Sequence, residues 1–294
     1  MRIRPSRRRI VSSLVALLAV GAVASSAAAA QPAGQGAFKV DYLALGDSVA
    51  FGYVPPEAVP APNYLDPHSF VGYPELLAKQ LNMRLTNASC PGETTASLLS
   101  VSAQSNGCEN APGSTSGYRT IFPLHVHYPG SQDRFALRYL SRHDHTRLIT
   151  IDIGANDAFV CQETTQDHCA SQGELQAVAA QIAANLGTLF GQIRDVAHYR
   201  GRLVALSYYA LNYADPSSVA GSEFLNGVIT AVTQAYGGIV ADGFGAFENA
   251  SASFGGDPCA AGLLIKLPDG TCNIHPSQEG HTLLAGAIAT AIGR

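Results

Sequence analysis

Short apolar runs alternate with longer amphipathic stretches along most of this 294-residue chain. Residues 40–45, 147–153 and 202–208 are nearly continuous apolar runs of strand length, and the first two end at Gly46 and Gly154. Runs of this kind, buried on both faces, are what a parallel sheet needs. Residues 84–88 make a shorter strand candidate. Between the strands the period changes. Leu175, Val178, Ile182, Leu186, Phe190, Ile193 and Val196 recur every three or four residues, the stripe of a long amphipathic helix. Leu225, Val228, Ile229, Val232, Tyr236 and Ile239 form a second stripe. Residues 73–81 read as a shorter helix. A last helix opens at Pro276, a residue suited to a first turn, and carries Leu283, Leu284, Ile288 and Ile292. Strands alternating with helices predict an α/β fold, a three-layer α/β/α sandwich around a doubly wound parallel sheet.

Two stretches break the alternation. Residues 54–67 are a Pro-rich loop. Residues 98–145 are rich in Ser, Gly, Asn and His, with one helical candidate at 132–140. A long irregular insert in a compact domain suggests a functional loop or lid. Its aromatics Tyr118, Phe122, Tyr128 and Phe135 either line an acyl pocket or pack the loop down. No internal repeat is visible.

The N-terminus changes the picture of charge and location. Arg2, Arg4, Arg7, Arg8 and Arg9 precede an apolar core at 10–23 and a small-residue cleavage site at Ala28-Ala29-Ala30, the layout of a secretory signal peptide over residues 1–30. Ser6-Arg7-Arg8-Arg9-Ile10-Val11 fits a twin-arginine signal as well as a general one. The apolar part is too short and Ala-rich for a span, and no second run reaches spanning length, so no stable membrane anchor is expected. Residues 31–37 read as a flexible leader and 38–294 as a single domain. Five of the 18 basic residues and none of the 22 acidic ones lie in the signal, leaving 13 against 22, a net charge of −9. That surface disfavours nucleic acid or anionic membrane as partner. The six cysteines all follow the signal. In an exported chain they favour disulfides, and sequence proximity suggests Cys90–Cys108, Cys161–Cys169 and Cys259–Cys272.

The chemistry gathers where strands end. Gly46-Asp47-Ser48 leaves the first strand, at the carboxyl edge where open α/β sheets bind ligands, and Ser48 is a candidate nucleophile. Gly92 offers a backbone N–H that a larger residue would crowd, and Asn156 a side-chain amide. With the Ser48 N–H they would form an oxyanion hole. His275-Pro276 precedes the last helix, and His275 is a candidate general base. Alone, each residue has an ordinary reading as a turn or a cap. No Gly-x-Ser-x-Gly elbow occurs. His125-x-His127 and His143-x-His145 have metal-like spacing, but no carboxylate or cysteine cluster stands beside them, so no metal is expected. His281 reads as part of the helix start, and Asp47 and Asp157 as anchors of the turns carrying Ser48 and Asn156.

Taken in order, Gly46-Asp47-Ser48, Gly92 within Asn-Ala-Ser-Cys-Pro-Gly-Glu-Thr, Gly154-Ala155-Asn156-Asp157 and His275-Pro276 resemble the four signature blocks of the SGNH/GDSL hydrolases, a family of esterases and lipases. The resemblance implies a flavodoxin-like sheet of order 2-1-3-4-5, Ser48 as nucleophile, His275 as base, and Ser48, Gly92 and Asn156 as oxyanion donors. One position departs. The family usually has Asp three residues before the catalytic His, and here it is Cys272. Asp269, the Asn273 side chain or the Cys272 backbone carbonyl could orient His275, and the carbonyl, held by a Cys259–Cys272 bridge, is favoured. The pattern is similar to secreted actinobacterial members that use a Ser-His dyad and carry three disulfides. In other serine hydrolases, losing the acid costs about 10⁴-fold and losing the serine or histidine about 10⁶-fold, so the departure is compatible with activity.

The expectation is a secreted, monomeric carboxylic ester hydrolase acting on a small-molecule or lipid ester through a Ser48 acyl-enzyme, without cofactor. A polysaccharide or cell-wall O-deacetylase would use the same machinery. A catalytically silent lipid- or glycan-binding domain is the reading from another class. Retention of Ser48, Gly92, Asn156 and His275 together argues against it.

Overall fold

The computed structural model describes residues 39–294; the expected signal and leader lie outside the described residues. The chain enters through β1 (Asp41–Gly46), all six residues of which are buried, and turns at once into the one-turn helix α1 (Ser48–Phe51). α2 (Tyr73–Leu81) and β2 (Arg84–Asn87) follow, then α3 (Thr95–Leu99), α4 (Tyr118–Ile121) and α5 (Gln132–Leu140). β3 (Thr146–Asp152) leads into α6 (Ala155–Thr164) and the long α7 (Gln172–Gly191). β4 (Arg202–Leu206), α8 (Pro216–Ala235), β5 (Ile239–Ala241) and α9 (Gly243–Ser251) come next. A small hairpin of β6 (Leu264–Lys266) and β7 (Cys272–Pro276) precedes α10 (Gln278–Ala291).

The five long-range strands form one parallel sheet of order β2-β1-β3-β4-β5. α2, α9 and α10 pack together in one layer, and α3, α5, α6, α7 and α8 in the other. The chain steps from β1 to β2 on one side and then returns to β3 on the other, which puts the switch point between β1 and β3, whose carboxyl ends therefore flank a crevice. Leu43, Leu45, Ile149, Ile151, Leu203 and Val204 are at most 2% exposed and join Leu186, Phe190, Leu284 and Ile288 in one core. Truncating any of these to Ala costs about 2–5 kcal/mol. Among the described residues no helix is long and apolar enough to cross a membrane.

Three details differ from the sequence reading. Ile239 opens β5 rather than closing a helix: α8 stops at Ala235, and Gly237 takes a left-handed φ of 64° that turns the chain back. The last helix starts at Gln278, because Ser277 caps it by accepting from the Gly280 N–H (3.2 Å), while Pro276 ends β7. The 98–145 insert is pinned internally. Arg119 pairs with Glu109 (2.8 Å) and donates to the Tyr128 and Gly130 carbonyls (2.7 and 3.1 Å). Disulfides close Cys90–Cys108, Cys161–Cys169 and Cys259–Cys272.

Candidate active site

The turn after β1 is dictated by a close approach of two strands. Gly46 has φ +136°, and a Cβ there would lie 2.2 Å from the Asp152 carbonyl oxygen of β3. Gln132 of α5 reads both sides of this residue, accepting from the Gly46 N–H (3.0 Å) and donating to its carbonyl (2.8 Å). Asp47 then caps α1, accepting from the Val49 N–H at 3.0 Å. Ser48 is thereby the first residue of a helix, half-buried, and its N–H has no intrahelical acceptor.

The histidine arrives from the opposite direction on β7. His275 Nε2 lies 2.8 Å from Ser48 Oγ, joining residues 227 apart in sequence. Its Nδ1 lies 2.5 Å from Asn273 Oδ1, not on the Cys272 carbonyl favoured from the sequence. The reason is strand geometry. Residues i and i+2 of a strand share a face, so the Asn273 side chain stands beside the His275 ring and takes its Nδ1. The His275 backbone N–H also donates to Asn273 Oδ1 (3.1 Å), which fixes that atom as the acceptor. The tautomer follows: Nδ1 carries the proton and Nε2 is free to accept from Ser48. Burial lowers the His275 pKa to about 4, so the imidazole is neutral at neutral pH.

Gly92 and Asn156 border the same crevice. Gly92 has φ +78°, and a Cβ would lie 2.3 Å from the Asn106 carbonyl, so only glycine fits. Asn156 sits in the first turn of α6. Its Oδ1 accepts from Asn106 Nδ2 (3.0 Å), and its Nδ2 donates to Asp47 Oδ2 (3.3 Å). Asp47 Oδ2 also accepts from the Tyr208 hydroxyl (2.5 Å). Asp157 does not hold its own turn as expected. It accepts from the Thr95 N–H (2.9 Å) and hydroxyl (2.5 Å), tying α6 to α3 just past Gly92.

These groups open on a cleft of about 530 Å³. Much of its wall was not legible in the sequence: Phe159 and Gln162 of α6, Tyr208 and Tyr209 after β4, and Ser218, Ser222 and Leu225 of α8. From the insert, only Asn106, Gly107 and Tyr118 reach it. Phe122 packs on Tyr64 and Tyr118, and Tyr128 on Phe135, so the loop's aromatics serve mainly to hold it down. His125 Nε2 bonds the Phe51 carbonyl (3.0 Å) and His143 stacks on Tyr139, so neither His-x-His pair converges. Among the described residues, the two triads of potential metal ligands each contain a disulfide-bonded cysteine pair, whose sulfurs are not free to ligate. His281 is buried, and its ring makes no hydrogen bond.

The fold gathers these four sequence blocks at the switch point of a doubly wound parallel sheet. The model of the GDSL-like lipase/acylhydrolase family matches residues 44–283, and the chain belongs to that family. Solved structures share the fold. Phospholipase A1 from Streptomyces albidoflavus is 18% identical with a TM-score of 0.52, over 86% of this chain and 99% of that one. A single-residue variant of an acetyl xylan esterase from Geobacillus stearothermophilus is 15% identical with a TM-score of 0.50, over 86% and 94%. A lipase from a goat-rumen metagenome is 15% identical with a TM-score of 0.50, over 86% and 97%. These likenesses speak to fold alone. No curated protein matches the sequence significantly.

Proposed function

We propose that this GDSL hydrolase is an exported serine esterase that cleaves carboxylic esters through a Ser48 acyl-enzyme. The observation that carries the proposal is the 2.8 Å contact between Ser48 Oγ and a neutral, tautomer-fixed His275 inside the cleft. Ser48 attacks the ester carbonyl as its proton passes to His275 Nε2. The Asn273 carbonyl oxygen holds the Nδ1–H throughout and steadies the imidazolium. The Ser48 and Gly92 N–H groups and the Asn156 amide receive the oxyanion, a role in which each donor is worth about 100- to 1,000-fold. His275 then protonates the leaving alcohol, and water attacks the acyl-enzyme by the reverse path. The scheme uses no metal or organic cofactor.

The cleft's size and apolar wall favour an acyl group longer than acetyl, which would leave most of the space empty. The three disulfides and the Arg-rich, apolar start favour action outside the cytoplasm. The test is hydrolysis of p-nitrophenyl esters from acetate to palmitate by wild type and Ser48→Ala. Wild type is expected to turn over, with a maximum beyond acetate, and Ser48→Ala to lose the activity. A maximum at acetate would point to the O-deacetylase reading. No turnover by folded wild type at any length would overturn the esterase assignment.

A further inference from the structure

Two carboxyl groups lie behind the Ser48 turn, and the scheme above uses neither. Asp47 and Asp152, at the adjacent ends of β1 and β3, are each 1% exposed, and the Asp47 N–H donates to the Asp152 backbone carbonyl (3.0 Å), which sets the two carboxyls side by side. Among the described residues neither is in a salt bridge. Two buried carboxyls side by side without a cation cannot both ionise, so one of them holds a proton.

The surroundings decide which one carries it. Asp47 accepts from the Val49 N–H (3.0 Å), the Tyr208 hydroxyl (2.5 Å) and Asn156 Nδ2 (3.3 Å), three donors that stabilise its ionised form. Asp152 Oδ1 is buried with no partner at all. A bare buried carboxylate oxygen is costly, so the proton belongs on Asp152. Burial pushes both groups up, and the Asp47 charge raises Asp152 further.

The consequence falls on Asn156. Asn106 fixes its Oδ1 and Asp47 takes one of its two Nδ2 hydrogens, which leaves the other for the oxyanion. We infer that Asp152 is a positioning residue: neutral, it donates to Asp47, which stays a fixed acceptor beneath α1 and aims the Asn156 amide at the oxyanion site. This rests on the ester-hydrolysis reading. Its physical core, the shared proton, is measurable without substrate.

Wild-type protein labelled with ¹³C-aspartate is examined by carboxyl NMR at about pH 8, where ordinary aspartates are fully ionised. One protonated aspartate carboxyl is expected in wild type and in Ser48→Ala, and none in Asp152→Asn. All aspartates ionised in wild type would overturn the inference, even with ester hydrolysis intact. In the p-nitrophenyl ester assay, Asp152→Asn, whose amide still donates to Asp47, is expected to keep kcat within about threefold of wild type. Asp152→Ala should lower kcat by about tenfold or more with KM little changed, the loss of one positioning hydrogen bond. Equal losses in the Asn and Ala variants would also overturn it. Failure of wild type to hydrolyse esters, with the proton signal present, would count against the proposed function rather than against the shared proton.

Discussion

Ser48 and His275 meet at hydrogen-bond distance, yet the two regions that deliver them are held by different forces. Ser48 hangs from β1, a wholly buried strand in the interior of the sheet, and its turn is fixed by Asp47 and Gln132. His275 rides on a two-stranded ribbon whose residues are mostly half-exposed or exposed. The ribbon is attached by the Cys259–Cys272 disulfide, by Tyr209 donating to the Ile274 carbonyl (2.7 Å) and by the Ser277 N–H donating to the Leu263 carbonyl (2.8 Å). The serine's place is set by the global core. The histidine's place is set by a few local ties. One difference in chemistry follows: the core side is dense in buried carboxyls, while the side chain that orients the histidine is a neutral amide.

Substitutions can break or sharpen this contrast. The largest effect is expected on the core side, where Ser48→Ala should cost about 10⁶-fold in kcat with unchanged thermal stability, since the half-buried hydroxyl contributes little to packing. Gly92→Ala comes next. Its Cβ would meet the Asn106 carbonyl at 2.3 Å in a left-handed backbone, so the loop must shift and the oxyanion donor with it. A loss of about 100- to 1,000-fold in kcat is expected from ester kinetics, with a lowered melting temperature.

On the histidine side, Asn273→Ala should lower kcat by about 100-fold, short of the ~10⁴-fold seen where an ionised acid is lost. The pH profile sharpens the point. His275 works only when neutral, and its pKa is held at about 4 by burial, so kcat/KM should hold into mildly acidic solution and fall as pH drops through about 4. Asn273→Asp places a negative charge against Nδ1–H, stabilises the imidazolium and should move that acid limb upward. The smallest effect is expected from Cys259→Ser with Cys272→Ser. Kinetics should show about a tenfold loss, and unfolding a destabilisation of about 2–4 kcal/mol. An equal loss from opening Cys161–Cys169, which lies at the end of α6, would erase the contrast.

What the sequence made legible follows the same division. β1, β3, β4, α2, α5 and α7 were readable because their apolar patterns are what the sheet and its layers bury. The three-residue β5 was hidden inside a helical stripe that Ile239 happens to continue. The β6–β7 hairpin carries no pattern, being too short and too exposed for burial to write one. That gap led to the wrong orienter. With no element assigned to 272–275, the Cys272 carbonyl is the favoured orienter; in β7, Asn273 and His275 fall on one face. The cleft wall from α8 was equally invisible, because Ser218, Ser222 and Leu225 belong to it only through the packing of α8 beside α7.

In the proposed mechanism Ser48 is a nucleophile activated by a histidine whose Nδ1–H is held by an amide rather than by a carboxylate. The most direct measurement is labelling with a fluorophosphonate followed by peptide mass spectrometry, on wild type, His275→Ala and Asn273→Ala. The expected result is a single adduct on Ser48, formed readily by wild type, slowly by Asn273→Ala and not by His275→Ala. An adduct on another serine, or none on folded wild-type protein, would contradict it.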